Sequence, residues 1–141
     1  MIDASHVIRI ARPSKNLDAA ERFYVRGLGL SVLFRKAGAP AGEEHDLLMV
    51  GPDDGIWHLE LTKGTHEVVE PTPTREDLLV VYLGAPLAEK AVQRAVECGG
   101  TVVSALNPYW DRGGVTIADP DGYRVVLTSR TWERNVPLEP T

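Results

Sequence analysis

The chain has 141 residues, with 15 Lys and Arg against 20 Asp and Glu, for a formal net charge of −5. Hydrophobic types make up 43% and charged types 25%, enough apolar material for one domain to bury a core and far from disordered or collagen-like compositions. The acids gather where turns are expected (Glu43, Glu44, Asp53, Asp54, Asp119, Asp121) and no stripe of Lys and Arg opposes them, which argues against a nucleic-acid partner. The longest apolar run, Leu78 to Leu83, has six residues where a membrane span needs about 20. Met1 to His6 carries neither a basic nor an apolar signal region, so the expectation is a cytoplasmic protein without a membrane partner. The single cysteine, Cys98, cannot form an internal disulfide and reads as a small packed residue at a helix end rather than a nucleophile.

Taken along the chain, His6 to Ala11 alternates apolar with polar or small residues, the period-two signal of a strand with one buried face, and Pro13 is expected to stop it. Asn16 is placed to cap a helix, with Asp18 and Glu21 at its positive end. Leu17, Ala20, Phe23 and Tyr24 recur on one helical face. Gly27 or Gly29 ends this helix, and Leu30 to Arg35 is the second strand. A loop rich in Gly, Pro and Glu (Ala37 to Glu44) precedes a strand at Asp46 to Val50, a tight turn at Pro52-Asp53-Asp54-Gly55 and a strand at Ile56 to Thr62. The second half repeats this grammar: strand Leu78 to Leu83, helix Leu87 to Cys98, strands Thr101 to Ser104 and Gly113 to Ala118, the turn Asp119-Pro120-Asp121-Gly122, and strand Tyr123 to Thr128. Leu17 and Leu87, Gly29 and Gly99, and Val32 and Val102 share an offset of 70, and the ends Leu61-Thr62 and Leu127-Thr128 an offset of 66. Such offsets indicate a duplicated module of roughly 60 residues. Module one spans about residues 6–62, a linker 63–76, module two about 77–129, and a C-terminal tail 130–141.

In this order and spacing, the strings Ala11-Arg12-Pro13, Asn16-Leu17, Phe23-Tyr24, Gly27-Leu28-Gly29-Leu30, His58-Leu59-Glu60-Leu61-Thr62 and Asp119-Pro120-Asp121-Gly122 resemble the vicinal oxygen chelate superfamily. That group includes glyoxalase I, extradiol dioxygenases, fosfomycin-resistance enzymes and bleomycin-binding proteins. The resemblance runs from about Val7 to Ser129. It implies an α+β fold, the glyoxalase/bleomycin resistance fold, in which two tandem βαβββ modules form cup-shaped mixed sheets, usually completed in a homodimer. It does not choose the chemistry.

Metal-using members of that superfamily hold a divalent ion with one donor from the first and one from the last strand of each module. The resemblance places these positions at Arg9, at Glu60, at Leu79 or Val80, and at Val126. Only Glu60 is a donor, because a guanidinium offers no lone pair and aliphatic side chains offer nothing. One carboxylate does not hold a divalent ion tightly. A rescue by His58 with Glu60 and either His6 or His45 would need a strand to slip register, which turns its buried face outward. The expectation is therefore no metal and no other cofactor.

Strand parity assigns the cup lining to Val7, Arg9 and Ala11, to His58, Glu60 and Thr62, and to Arg124, Val126 and Thr128. Ile8, Ile10, Leu59, Leu61, Val125 and Leu127 then face the helices as core, with Trp57. Arg9 and Glu60 read either as a structural ion pair or as direct ligand contacts, and these are compatible. His58 reads as a hydrogen-bonded wall residue, and Arg124 as snorkelling from the sheet. Tyr109 and Trp110, in the loop before the seventh strand, read either as a stacking platform or as a plug at a dimer interface. The leading expectation is a metal-free protein binding a small aromatic or amphipathic molecule in a dimer cup through Arg9, His58, Glu60, Tyr109, Trp110 and Arg124. The alternatives are a glyoxalase-like lyase or isomerase, or a dioxygenase, using Glu60 with His58, and a structural dimer without a ligand.

Overall fold

The period-two runs become strands of two four-stranded sheets in a computed structural model that describes residues 1–38 and 45–134. The part of the expected loop from 39 to 44 and the tail from 135 onward lie outside the described residues. In chain order the elements are β1 (Ile8–Pro13), α1 (Leu17–Glu21) running into a π-helical turn (Arg22–Gly27), β2 (Ser31–Lys36), β3 (Asp46–Gly51), β4 (Trp57–Lys63), β5 (Leu78–Tyr82), α2 (Glu89–Glu97), β6 (Thr101–Val103), a 3-10 turn (Pro108–Asp111), β7 (Gly114–Ala118) and β8 (Arg124–Thr128). The first sheet has the order β1-β4-β3-β2 and the second β5-β8-β7-β6. In each, the first strand runs parallel to the last and the other pairs are antiparallel. This is the tandem βαβββ arrangement expected from the sequence.

The duplication reaches the backbone. Gly29 and Gly99 both adopt positive φ, 83° and 104°, each just past a helix end, where the chain must turn left-handed and only a residue without Cβ does so at no cost. At the other end of α1 the Asn16 side chain accepts from the Ala19 amide at 3.0 Å, the expected cap.

Ala20, Phe23 and Tyr24 of the first helical segment are wholly buried with Leu48, Val50, Leu59 and Leu61 of the first sheet, Ala95 of α2, and Ile117, Val125 and Leu127 of the second sheet. One cluster thus serves both modules, and each large aliphatic side chain in it contributes roughly 1.5–3 kcal/mol of burial. Cys98 is half-buried, its Cβ 3.2 Å from where a Gly27 Cβ would stand, so it packs between the helices.

Several edges of the sequence reading move. Strand β1 begins at Ile8 and runs through Pro13, which an edge strand accommodates because one of its flanks needs no amide donor. Ile8 and Ile10 have the expected parity, pairing with Trp57 and Leu59, but they are not core: they are 47% and 43% exposed. Among the described residues no strand flanks β1 on its outer side. Trp57 is half-buried and, with Leu28, Leu30, Leu79, Val81 and Leu87, lines a cavity of about 190 Å³. Strand β4 extends through Lys63, into the expected linker. Among the described residues no helix is long and apolar enough to cross a membrane.

The modules are fastened at the Asp119-Pro120-Asp121-Gly122 turn. Asp119 Oδ1 accepts from the Asp121 and Tyr123 amides at 2.8 and 3.0 Å, and Oδ2 accepts from the Tyr24 hydroxyl at 2.6 Å. Lys15 N donates to Asp121 Oδ1 at 2.9 Å, and the Arg12 guanidinium lies 4.7 Å from the centre of the Tyr123 ring. Burial, and then the neighbouring Asp119 carboxylate, pushes the Tyr24 phenol well above its ordinary range. Burial likewise raises Asp119.

A folded-state pKa above the unfolded one means that the folded chain keeps a proton the unfolded chain gives up. The Tyr24 contribution is therefore complete below about pH 10 and lost as pH climbs above it. Tyr24→Phe should lower the unfolding free energy by roughly 1–3 kcal/mol at neutral pH, because Asp119 loses a buried donor. In urea titrations repeated above about pH 10, the variant should lose stability less steeply than the parent protein. Equal slopes would detach Tyr24 from the alkaline transition.

Candidate functional site

The face of the first sheet opposite the core is set by the parallel pairing of β1 with β4, which places Arg9 beside His58, Ala11 beside Glu60 and Pro13 beside Thr62. Leu59 and Leu61 point the other way into the core. Arg9 Nε donates to His58 Nε2 at 3.0 Å, and Arg9 Nη1 donates to Glu60 Oε2 at 3.2 Å. A guanidinium can only donate, so His58 Nε2 is the acceptor nitrogen. His58 Nδ1, 3.0 Å from the Gly55 carbonyl oxygen, then carries the ring proton and donates it there. The ring is thereby fixed in one neutral tautomer and is only 8% exposed. Gly51 is required behind it, because a Cβ there would stand 2.8 Å from the His58 Cβ and 2.7 Å from the Trp57 carbonyl oxygen.

Two residues that the sequence reading did not include share this face. Met49 pairs with Glu60, and Phe34 pairs with Met49, so Ala11, Glu60, Met49 and Phe34 form a row across the sheet. Phe34 is 46% exposed. A register shift between Val32 and Phe34 puts these two residues opposite Val50 and Met49, respectively. Simple alternation would have given them the same face, and this bulge is the signal that the sequence conceals.

On the second sheet the corresponding row is Val80, Val126, Thr116 and Val103. Leu79 packs against the core, so Val80 is the residue on the cup face. Val126 and Thr116 are buried, and the Thr116 hydroxyl has no hydrogen-bond partner among the described residues. The 3-10 turn lies against this sheet: the Asn107 side chain caps it by accepting from the Tyr109 amide at 3.0 Å, and the Trp110 carbonyl oxygen is 2.6 Å from where a Gly114 Cβ would be. The Trp110 ring meets Tyr109 and Tyr82 edge-on, with centres 5.0 and 6.4 Å apart. The guanidinium groups of Arg130 and Arg112 lie 4.4 and 5.7 Å from the centre of the Tyr109 ring. Arg124 Nη1 donates to the Ser104 carbonyl oxygen at 3.3 Å.

Of the expected site residues, the structure thus joins Arg9, His58 and Glu60 in one network on the first sheet. It places Tyr109 and Trp110 together on a turn of the second, and ties Arg124 to the chain after β6. A divalent ion does not fit this donor set. Val80 and Val126 carry no donor atom, and His58 Nε2 and Glu60 Oε2 face a guanidinium. His6 is engaged in a turn by the Asp3 amide at 3.1 Å. Among the described residues no three or more His, Cys, Asp or Glu side chains are gathered as a metal ion requires.

Residues 8–62 match the family model of the YycE-like N-terminal domain, and residues 76–129 that of the YycE-like C-terminal domain. Over 121 residues, 85% of each chain, the sequence is 38% identical to YycE, an uncharacterized protein of Bacillus subtilis strain 168. The crystal structure of a YycE protein of unknown function from Bacillus subtilis, described in terms of glyoxalase/fosfomycin resistance proteins, superposes with a TM-score of 0.79 at 34% identity. It covers 92% of this chain and 93% of that one. Two more distant structures show the shared fold alone. Trypanothione-dependent glyoxalase I of Leishmania major has a TM-score of 0.66 at 18% identity, covering 88% and 86%. TnmS3, an antibiotic binding protein from Streptomyces sp. CB03234, has a TM-score of 0.61 at 24% identity, covering 93% and 100%.

The network makes a definite claim about one proton. Nitrogen-15 spectra of the His58 ring should show a protonated Nδ1 and an unprotonated Nε2 in the folded protein. Arg9→Ala should erase that preference and destabilise the fold by about 1–3 kcal/mol, since it strips a donor from two partly or wholly buried acceptors. A ring protonated on Nε2 alone would mean that the Arg9 bond is not made.

Proposed function

We propose, from the premise that this chain belongs to the YycE-like family and carries the glyoxalase and bleomycin-resistance fold, that it binds a small aromatic or amphipathic molecule in its cup without a metal ion. The observation that carries this reading is the guanidinium of Arg9 bonded to both His58 and Glu60, in the place where a metal-dependent relative would need open donors. The polar group so formed is neutral as a unit and adjoins an apolar shelf of Met49 and Phe34, a combination suited to an uncharged or amphipathic ligand. Trp110 and Tyr82 supply ring faces for stacking. TnmS3 is by description an antibiotic binding protein, so binding is a role this scaffold hosts.

A second copy is the natural completion of the cup in this reading. Ile8 and Ile10 on β1, the outermost strand of its sheet, and Val7 just before it are exposed, and proteins rarely leave such an edge uncovered. The enzyme reading, with Glu60 as general base, is less well supported. A general base must turn a free lone pair toward the substrate proton, and Glu60 Oε2 already accepts from Arg9 Nη1 at 3.2 Å.

Metal analysis and melting curves with and without chelator test the reading together with ligand binding. The purified protein should carry no stoichiometric metal, and its melting temperature should not respond to chelator. A panel of planar aromatic compounds should include members that quench tryptophan fluorescence saturably, with affinity reduced roughly three- to tenfold in Trp110→Ala, the value of one ring contact. Bound metal at one equivalent per chain, lost with a large fall in melting temperature, would sink the proposal.

A further inference from the structure

We infer that the Thr116 hydroxyl is a ligand-binding group, a polar anchor beneath the Tyr109–Trp110 turn that takes a neutral hydrogen-bonding atom carried on the apolar part of the ligand. Thr116 is 1% exposed, and its hydroxyl has no hydrogen-bond partner among the described residues. A hydroxyl buried in that way is destabilising, whereas valine has nearly the same volume and no such cost. The neighbours of Thr116 across the sheet are Val126 and Val103, so valine is what otherwise fills this layer. β7 lies between β8 and β6, and the backbone amides around Thr116 are taken up in those ladders. Thr128 makes the contrast. It is buried as deeply on the same face, but its hydroxyl accepts from the Arg130 amide at 3.2 Å and so holds the chain after β8. The Thr116 hydroxyl holds nothing of this kind.

The turn rests on the face that carries this hydroxyl. Gly114 and Thr116 are two residues apart on β7 and share a face, and a Cβ on Gly114 would stand 2.6 Å from the Trp110 carbonyl oxygen. The turn's hydrogen bonds close largely within itself. The Tyr109 and Trp110 amides donate to the side chain and carbonyl of Asn107 at 3.0 and 3.1 Å, and the Ala105 amide donates to Asp111 Oδ1 at 3.3 Å. Outward, Arg130 Nε donates to the Arg112 carbonyl oxygen at 3.4 Å, and Trp110 meets Tyr82 edge-on. Such a unit can shift over the sheet with its own bonds intact. The bend falls on Gly113, whose carbonyl is held by the amide and hydroxyl of Ser129 and whose φ of 77° suits only a residue without Cβ. A ligand reaching under Trp110 then meets one hydroxyl among valines. That selects a flat apolar framework bearing a hydroxyl, carbonyl or ether oxygen over a bare hydrocarbon, and also over an ion, whose desolvation one neutral hydroxyl cannot offset.

This inference rests on the proposed binding of a small aromatic or amphipathic molecule, and the two fail in different ways. The full chain, Thr116→Val and Thr116→Ser are compared by melting curves without ligand and by equilibrium dialysis against 2-naphthol and its hydroxyl-free parent naphthalene. Thr116→Val should raise the melting temperature of the free protein by roughly 3 °C or more, because an unpaired buried hydroxyl is removed. The same variant should bind 2-naphthol about three- to tenfold more weakly, the value of one neutral hydrogen bond, with naphthalene affinity within about twofold of native. Thr116→Ser keeps the hydroxyl and should keep the native ratio of the two affinities. These opposite signs, stability gained and hydroxyl recognition lost, are what a merely structural threonine would not give. A melting temperature lowered by Thr116→Val, or a native ratio of affinities in that variant, would overturn this inference alone. If the native chain binds neither probe saturably, the binding reading fails and this inference fails with it.

Discussion

How the first module sits on the second depends on how one buried carboxylate is satisfied. Asp119 is 6% exposed, and a carboxylate so placed persists only if its oxygens are occupied. Two of its partners, the amides of Asp121 and Tyr123, belong to its own turn, but the third is the Tyr24 hydroxyl in the other module. That bond fixes the first helical segment over the second sheet, where Phe23 and Tyr24 join Ile117 and Val125 in the common core. Lys15 and Arg12 reach the same turn from either side of Ser14. Because Arg12 is on β1, the turn of module two also anchors the strand that carries Arg9. A motif that reads in the sequence as a hairpin connection therefore acts as the fastener between the modules.

Those features of the fold that depend on nearest neighbours along the chain were legible before any coordinates. Asn16 caps because a side-chain oxygen meets a free amide three residues on. Gly29 and Gly99 turn left-handed because no other residue does so freely, and the parity of Leu59, Leu61, Val125 and Leu127 follows from alternation alone. What was not legible depends on neighbours across the sheet. Ile8 and Ile10 have core parity yet remain half exposed, because among the described residues no strand flanks β1 on its outer side. Phe34 reaches the cup face through a register shift that alternation cannot anticipate. The 3-10 turn at Pro108–Asp111 is set by a cap and a proline too short in reach for any periodic signal.

The candidate site divides in the same way. That Arg9 and Glu60 belong together follows from strand neighbourhood. That His58 accepts from Arg9, and that its other nitrogen is tied to the Gly55 carbonyl, comes from the tight Pro52 to Gly55 turn folding back on β4, which only coordinates reveal. The choice between Leu79 and Val80 was settled by pairing: Val80 lies opposite Val126, while Leu79 packs into the core.

The two modules share a backbone plan but have diverged in what the cup face carries. In the first sheet this face is partly open and carries a charged pair balanced within itself beside the apolar Met49 and Phe34. In the second the equivalent row holds Val80, Val126 and Val103 around a Thr116 hydroxyl that has no partner among the described residues, and the Tyr109-Trp110 turn lies against the same sheet. In these rows the duplicated fold thus makes directional side-chain hydrogen bonds on the first sheet only, and presents aromatic and aliphatic surface from both. Such a division is what the proposed binding of an amphipathic molecule would use. It suits poorly any chemistry requiring a cation held symmetrically between the halves, because aliphatic side chains at Val80 and Val126 cannot share in holding it. The guanidinium at position 9 is the counterpart of that asymmetry: with Val80 and Val126 on the second sheet, a charge bonded from the first sheet alone keeps His58 and Glu60 in place.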